Sequence, residues 1–261
     1  MTAPFPFRKF INHPFCVFSV QSLLPVLFGL ALAPLVIAAD VPQQPLPTTV
    51  FKNLIDGKPQ TVLVYGTSLT AASEWPKALK AYFEKQYPGK VTFINSAQSG
   101  ETSVWGVANL QDKVLSKNPD LVFLEFSVND AATKHNISIE KSAQNLHAMV
   151  SLLQAQNPQV DIIIQTMNSA WDSPDQPEQK NFASDRPHLA DYYDAYRNYA
   201  QVHHLPLIDH YPNWLNLQQT NELQFKKWLP DGLHPVPEAS LSVTWPAIQT
   251  LLEKARSAAG L

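Results

Sequence analysis

Thr61-Val62-Leu63-Val64-Tyr65-Gly66-Thr67-Ser68-Leu69-Thr70 decides the fold. The run 61–65 is apolar and rich in strand formers, which reads as a buried β-strand. Gly66 ends it, and a serine follows two residues on. Helical spacing begins near Trp75. In an open α/β sheet, the turn leaving a strand's carboxyl end faces the crevice where ligands bind. A serine there is exposed, rigidly held and close to helix-start amides, as a nucleophile with an oxyanion to stabilise requires. Taken alone, Ser68 reads first as a helix cap or turn residue. The rest of the chain changes that reading.

Downstream, strands and helices alternate. Trp75, Ala78, Leu79, Tyr82 and Phe83 have helical spacing, and Pro88-Gly89 stops the run. Strands are expected at 91–94, 121–126, 160–165 and 207–209, and helices at 104–117, 189–202 and 237–258, the last kinked at Pro246. Ile139, Ala143, Leu146, Val150 and Leu153 mark one more helix, ended by Asn157-Pro158. Residues 211–229 read as helical or irregular. The span 168–187 is long, polar and Pro-containing, a loop length usually tied to function. Strand–helix alternation of this kind means a parallel sheet covered by helices on both faces.

The chain has 261 residues and a net charge of −3, which gives no electrostatic case for nucleic acid. Arg8 and Lys9 precede an almost wholly apolar stretch at 15–39 that ends in Val36-Ile37-Ala38-Ala39. This pattern reads as a signal peptide at 1–39 cut after Ala39, with an uncleaved N-terminal anchor as the competing reading. An exported protein, periplasmic or extracellular, is therefore expected, with no membrane partner for the mature domain unless that segment is retained. Residues 40–49 carry Pro42, Pro45 and Pro47 and read as an extended linker. One domain is expected at 50–261. The sole cysteine, Cys16, lies in the export segment, so the mature chain has neither disulfides nor a thiol nucleophile.

Four loops then stand together at the carboxyl edge of the expected sheet. Ser68 follows the first strand and Gly100 the second. Asn129 follows the third, and Asp231-Gly232-Leu233-His234-Pro235 precedes the last helix. A serine hydroxyl needs a base, which His234 can supply. Asp231 can hold the imidazole in one tautomer. The backbone N–H groups of Ser68 and Gly100 and the amide of Asn129 suit an oxyanion hole.

These segments resemble the sequence blocks of the SGNH hydrolases, the GDSL esterase/lipase family. Gly66-Thr67-Ser68-Leu69 resembles the serine block, Gly100 the glycine block, Asn129-Asp130 the asparagine block, and Asp231 with His234-Pro235 the last. The resemblance implies a flavodoxin-like three-layer α/β/α sandwich with a central, mostly parallel five-stranded sheet, making 50–261 an SGNH hydrolase domain. It also implies Ser68 as nucleophile, His234 as base, Asp231 as its partner, and Gly100 and Asn129 in the oxyanion hole. One departure stands out: the family's aspartate before the serine is Thr67 here.

The expected activity is hydrolysis of carboxylic esters through an acyl-enzyme, with no metal or organic cofactor. The partner is a small-molecule or polysaccharide ester, an acetylated carbohydrate first. Trp75 and Trp171 are candidates to edge the cleft and stack on sugar. Arg186 and His188 are candidates for substrate contact, and Glu125 for a structural hydrogen bond or a place in the pocket. The rivals are a lysophospholipase or thioesterase acting on lipid acyl groups, and a non-catalytic glycan-binding module on the same fold.

Overall fold

The computed structural model describes residues 44–173 and 181–260; the segment read as a signal or anchor lies outside them. Strands β1 (Gln60–Gly66), β2 (Val91–Asn95), β3 (Leu121–Glu125), β4 (Asp161–Gln165) and β5 (Leu207–Ile208) form one sheet in the order β2-β1-β3-β4-β5. Every pairing is parallel, so the sheet is wholly rather than mostly parallel. The chain runs outward from β1 to β2, then crosses back over β1 to β3. The crevice expected at such a reversal lies at the carboxyl ends of β1 and β3. Ser68 and Asn129 follow those two ends within four residues.

Period-two alternation divides the core between the two faces. Val62, Val64, Leu121, Phe123 and Ile163 meet helices Thr48–Ile55, Trp75–Gln86 and Trp245–Ala258. Leu63, Tyr65, Val122, Leu124, Ile162 and Ile164 meet helices Ser103–Lys113, Ile139–Gln156 and Leu189–Val202. Most of these strand side chains are wholly buried, each stabilising the fold by roughly 1.5–3 kcal/mol. β3 is buried along its whole length, which explains its apolar run from Leu121 to Leu124.

Three segments differ from the sequence reading. Helix Thr48–Ile55 begins inside the stretch read as linker, and Leu46 before it packs on the core. The helix is too short to show periodicity. Its first turn is capped from a distance, Val50 N donating to Asp161 Oδ2 of β4 at 2.8 Å. Residues 211–229 resolve into helices Tyr211–Thr220 and Glu222–Trp228, with the Asn221 side chain capping the second. In place of an interruption at Pro246, the helix is irregular one turn earlier. Helix Pro237–Ala239 opens into a π-helical turn, Ser240–Thr244, and Pro246 falls in the first turn of Trp245–Ala258. A missing N–H costs nothing there.

Candidate active site

Ser68 opens a single helical turn, Ser68–Ala71, directly after β1. The turn rests on a buried carboxylate. Glu125, the last residue of β3, accepts from Thr67 N at 2.6 Å, Thr67 Oγ1 at 3.0 Å and Thr70 Oγ1 at 2.6 Å. Gly66 is what lets the strands approach this closely. A Cβ there would lie 2.3 Å from Glu125 Oε1 and 2.5 Å from its carbonyl oxygen. The departure at Thr67 now has a physical reason. An ionised aspartate at 67 could only accept, whereas threonine donates to the Glu125 carboxyl. Sequence reasoning placed Glu125 in a buried strand but left open what it holds.

Burial pushes the Glu125 carboxyl up to about 7, against the hydrogen bonds from Thr70 and Thr67 that pull it down. The folded state thus binds this proton more tightly than the unfolded chain, whose glutamate titrates near 4.5. Its stabilisation is complete below about pH 4.5 and lost as pH rises through 7, a total of about 3 kcal/mol. Buried His210 works the other way. Burial pulls it down to about 4, so its contribution is lost as pH falls below the ordinary imidazole range. Glu125→Gln should remove the first slope and leave the second. Urea unfolding of parent and variant from pH 4.5 to 8 measures this, with the parental curve falling relative to the variant as pH rises. Parallel curves would mean that Glu125 stays ionised throughout.

His234 reaches Ser68 from the loop before the last helical segment. Its Nε2 lies 2.8 Å from Ser68 Oγ, and its Nδ1 lies 2.6 Å from Asp231 Oδ2. A carboxylate only accepts, so Nδ1 carries the hydrogen and Nε2 turns a lone pair toward the serine. The other Asp231 oxygen accepts from Leu233 N at 2.9 Å and His234 N at 2.8 Å, which fixes the loop. Gly232 is required at its apex. Its φ is +96°, and a Cβ would lie 2.2 Å from the Trp171 carbonyl oxygen. Trp171 N donates to Gly232 O at 2.9 Å, closing the contact.

The loop after β2 is tied to the same place. Gln98 N donates to Gly66 O at 2.9 Å, and Asn129 Nδ2 donates to Glu101 O at 2.8 Å. Gly100, with φ +81° and open space around its α-carbon, lies between these two anchors. Asp130 braces the loop from behind, accepting from Ser103 N at 2.8 Å and Ser142 Oγ at 2.5 Å.

One tryptophan is placed otherwise than expected. Trp75 is wholly buried and does not edge the cleft. It packs on Phe123 beneath the serine turn and donates its indole N–H to Leu69 O at 2.9 Å. Helical spacing set its face but not that this face meets the sheet. Trp171 is half-buried and leans on the cluster around Trp214, Phe225 and Leu229. Its indole donates to Leu229 O at 2.8 Å, so it braces the Asp231–His234 loop. Arg186 is 5% exposed and bonded to Val128 and Asn129, while His188 is exposed beside Asp191. Phe182, which sequence reasoning passed over, meets His234 edge-on at 5.8 Å.

Known proteins resemble this chain in sequence and in fold. Residues 63–240 match the GDSL-like lipase/acylhydrolase family. An arylesterase of Vibrio mimicus is 28% identical over 195 residues, 69% of this chain and 82% of that one. Two solved structures share the fold. One is a catalytic mutant of an acetylxylan esterase from Geobacillus stearothermophilus (TM-score 0.61, 15% identity, 75% of this chain and 94% of that one). The other is a two-domain esterase active on acetylated mannans, crystallised with mannopentaose (TM-score 0.62, 20% identity, 83% of this chain and 55% of that one). The family match spans more than half of the chain and contains its wholly parallel sheet but for the first three residues of β1; the chain belongs to the GDSL-like lipase/acylhydrolase family of esterases.

Proposed function

We propose that this esterase removes short acyl groups, acetyl first, from carbohydrate outside the cytoplasm, and that Ser68 carries the acyl group. The observation behind this reading is the hydrogen-bond chain from Ser68 Oγ through the His234 ring to Asp231. His234 Nε2 takes the serine proton as Oγ attacks the acyl carbonyl carbon. The resulting oxyanion meets the N–H groups of Ser68 and Gly100 and the free hydrogen on Asn129 Nδ2, whose other hydrogen is held by Glu101 O. The C–O bond of the ester breaks, and the alcohol leaves with the proton from His234. A water deprotonated by the same nitrogen then attacks the acyl-enzyme, releasing the acid and restoring Ser68.

Two observations support the substrate and the compartment. The structural relatives named above act on acetylated xylan and mannan. The basic start, apolar run and small-residue end of residues 1–39 have the pattern of an export signal.

Hydrolysis of 4-nitrophenyl acetate, butyrate and decanoate tests the reading. On this reading kcat/KM should fall by about tenfold or more from acetyl to decanoyl. Acetylated xylo- and manno-oligosaccharides should release acetate. Preference for decanoate would move the protein to the lipid acyl hydrolases.

A further inference from the structure

Arg186 is 5% exposed, yet all of its hydrogen bonds go to neutral acceptors. Nε donates to Val128 O at 2.8 Å, Nη1 to Phe182 O at 3.3 Å and Nη2 to Asn129 Oδ1 at 3.4 Å. The guanidinium carbon also lies 5.2 Å from the Phe182 ring centroid, and that ring meets His234. Among the described residues no carboxylate lies within ion-pairing distance of it; Asp185 acts on it only through space. A buried cation without a paired anion is costly, and a neutral side chain of similar length would fill the space more cheaply. The fold keeps the charge where the proposed reaction develops an anion.

The Asn129 carboxamide is pinned from both ends. Arginine can only donate, so the atom facing Nη2 must be the amide oxygen. The Glu101 carbonyl can only accept, so the atom facing it must be the amide nitrogen. A flipped amide would set donor against donor and acceptor against acceptor. Glu101 O and Arg186 together fix which end of Asn129 is the donor. The short bond to Val128 O, one residue away in sequence, holds the guanidinium plane in place for this.

We propose that Arg186 is a positioning residue for acyl transfer: it orients the Asn129 amide so that Nδ2–H points to the oxyanion, and its charge favours the negative oxygen there. This rests on the reading of Asn129 as an oxyanion donor.

The full chain is assayed on 4-nitrophenyl acetate as parent, Asn129→Ala, Arg186→Met, Arg186→Lys and the Asn129→Ala/Arg186→Met double variant. Thermal melts confirm folding, and inhibition by phenylboronic acid, which forms a tetrahedral adduct on a nucleophilic serine, reports oxyanion binding. Asn129→Ala should lower kcat about a hundredfold. Arg186→Met should lower it about 10- to 50-fold with KM within about threefold, and weaken the boronate in parallel. The double variant should fall no more than about threefold below Asn129→Ala, because without the amide there is nothing left to orient. Arg186→Lys keeps the cation but loses the planar fork whose Nε and Nη2 meet Val128 O and Asn129 Oδ1 at a fixed spacing, so a loss of about tenfold in kcat is expected. It carries the test if the methionine variant does not fold. Arginine variants within twofold of the parent in kcat, beside an impaired Asn129→Ala, overturn the inference alone. So do losses that multiply fully in the double variant. An Asn129→Ala enzyme with parental turnover removes the oxyanion reading and this inference with it.

Discussion

Ser68→Ala should lower turnover of 4-nitrophenyl acetate by about 10⁴-fold or more, to the level set by binding and the oxyanion donors alone. The substitution deletes one oxygen from a half-exposed side chain whose hydrogen bond runs to His234. The backbone of the turn is held by other residues, through Thr67 and Thr70 on Glu125 and through Trp75 on Leu69 O. The melting temperature should therefore move little. No neighbouring hydroxyl can take over. Thr67 and Thr70 are each 1% exposed or less, and their Oγ atoms donate downward to Glu125. A fluorophosphonate should label the parent once, at Ser68, and leave the variant unlabelled. Turnover retained at the parental rate would place the chemistry elsewhere, or show that the ester was cleaved without the protein's help.

The parallel sheet and the four converging loops were legible because apolar runs between turn residues report strands, and strand ends of one sense share one edge. Ser68, His234 and Asp231 come together as their order in the chain implied. What stayed hidden depends on distances across the fold. Helix Thr48–Ile55 is capped by a carboxylate 111 residues away. Glu125 reads as an oddity in an apolar strand until the opposed Gly66 shows the space it occupies. The change from aspartate to Thr67 reads as divergence until that same carboxylate is seen beneath it. Trp75 had the right helical phase for either the cleft or the core. Arg186, in a polar loop, reads as a candidate for substrate contact; only the fold buries it against Asn129.

Asp231→Asn should cost about 10⁴ in kcat while KM changes little. Burial pushes the Asp231 carboxyl up, but the hydrogen bonds from the His234 ring and from the backbone N–H groups of His234 and Leu233, with the imidazole charge, together outweigh it and hold the group at about 2. Asp231 therefore faces His234 as an anion throughout the neutral range. It fixes the proton on Nδ1 and stabilises the imidazolium that forms when Ser68 is deprotonated. In the asparagine variant, the amide oxygen can still accept from the two backbone N–H groups, so the loop keeps its shape. The amide nitrogen then faces Nδ1 and can only donate to it. That moves the ring proton to Nε2 and points an N–H at Ser68 Oγ where a lone pair is needed. The same carboxylate also stabilises the fold. Its pKa is depressed, so this contribution is present above about pH 4 and lost as pH falls through 2, roughly 2 kcal/mol in all. A purely structural aspartate would show the stability loss alone. A catalytic partner shows the kcat loss as well, with fluorophosphonate labelling slowed to the same degree and substrate binding preserved. A variant that loses stability yet turns over ester at the parental rate would remove Asp231 from the mechanism.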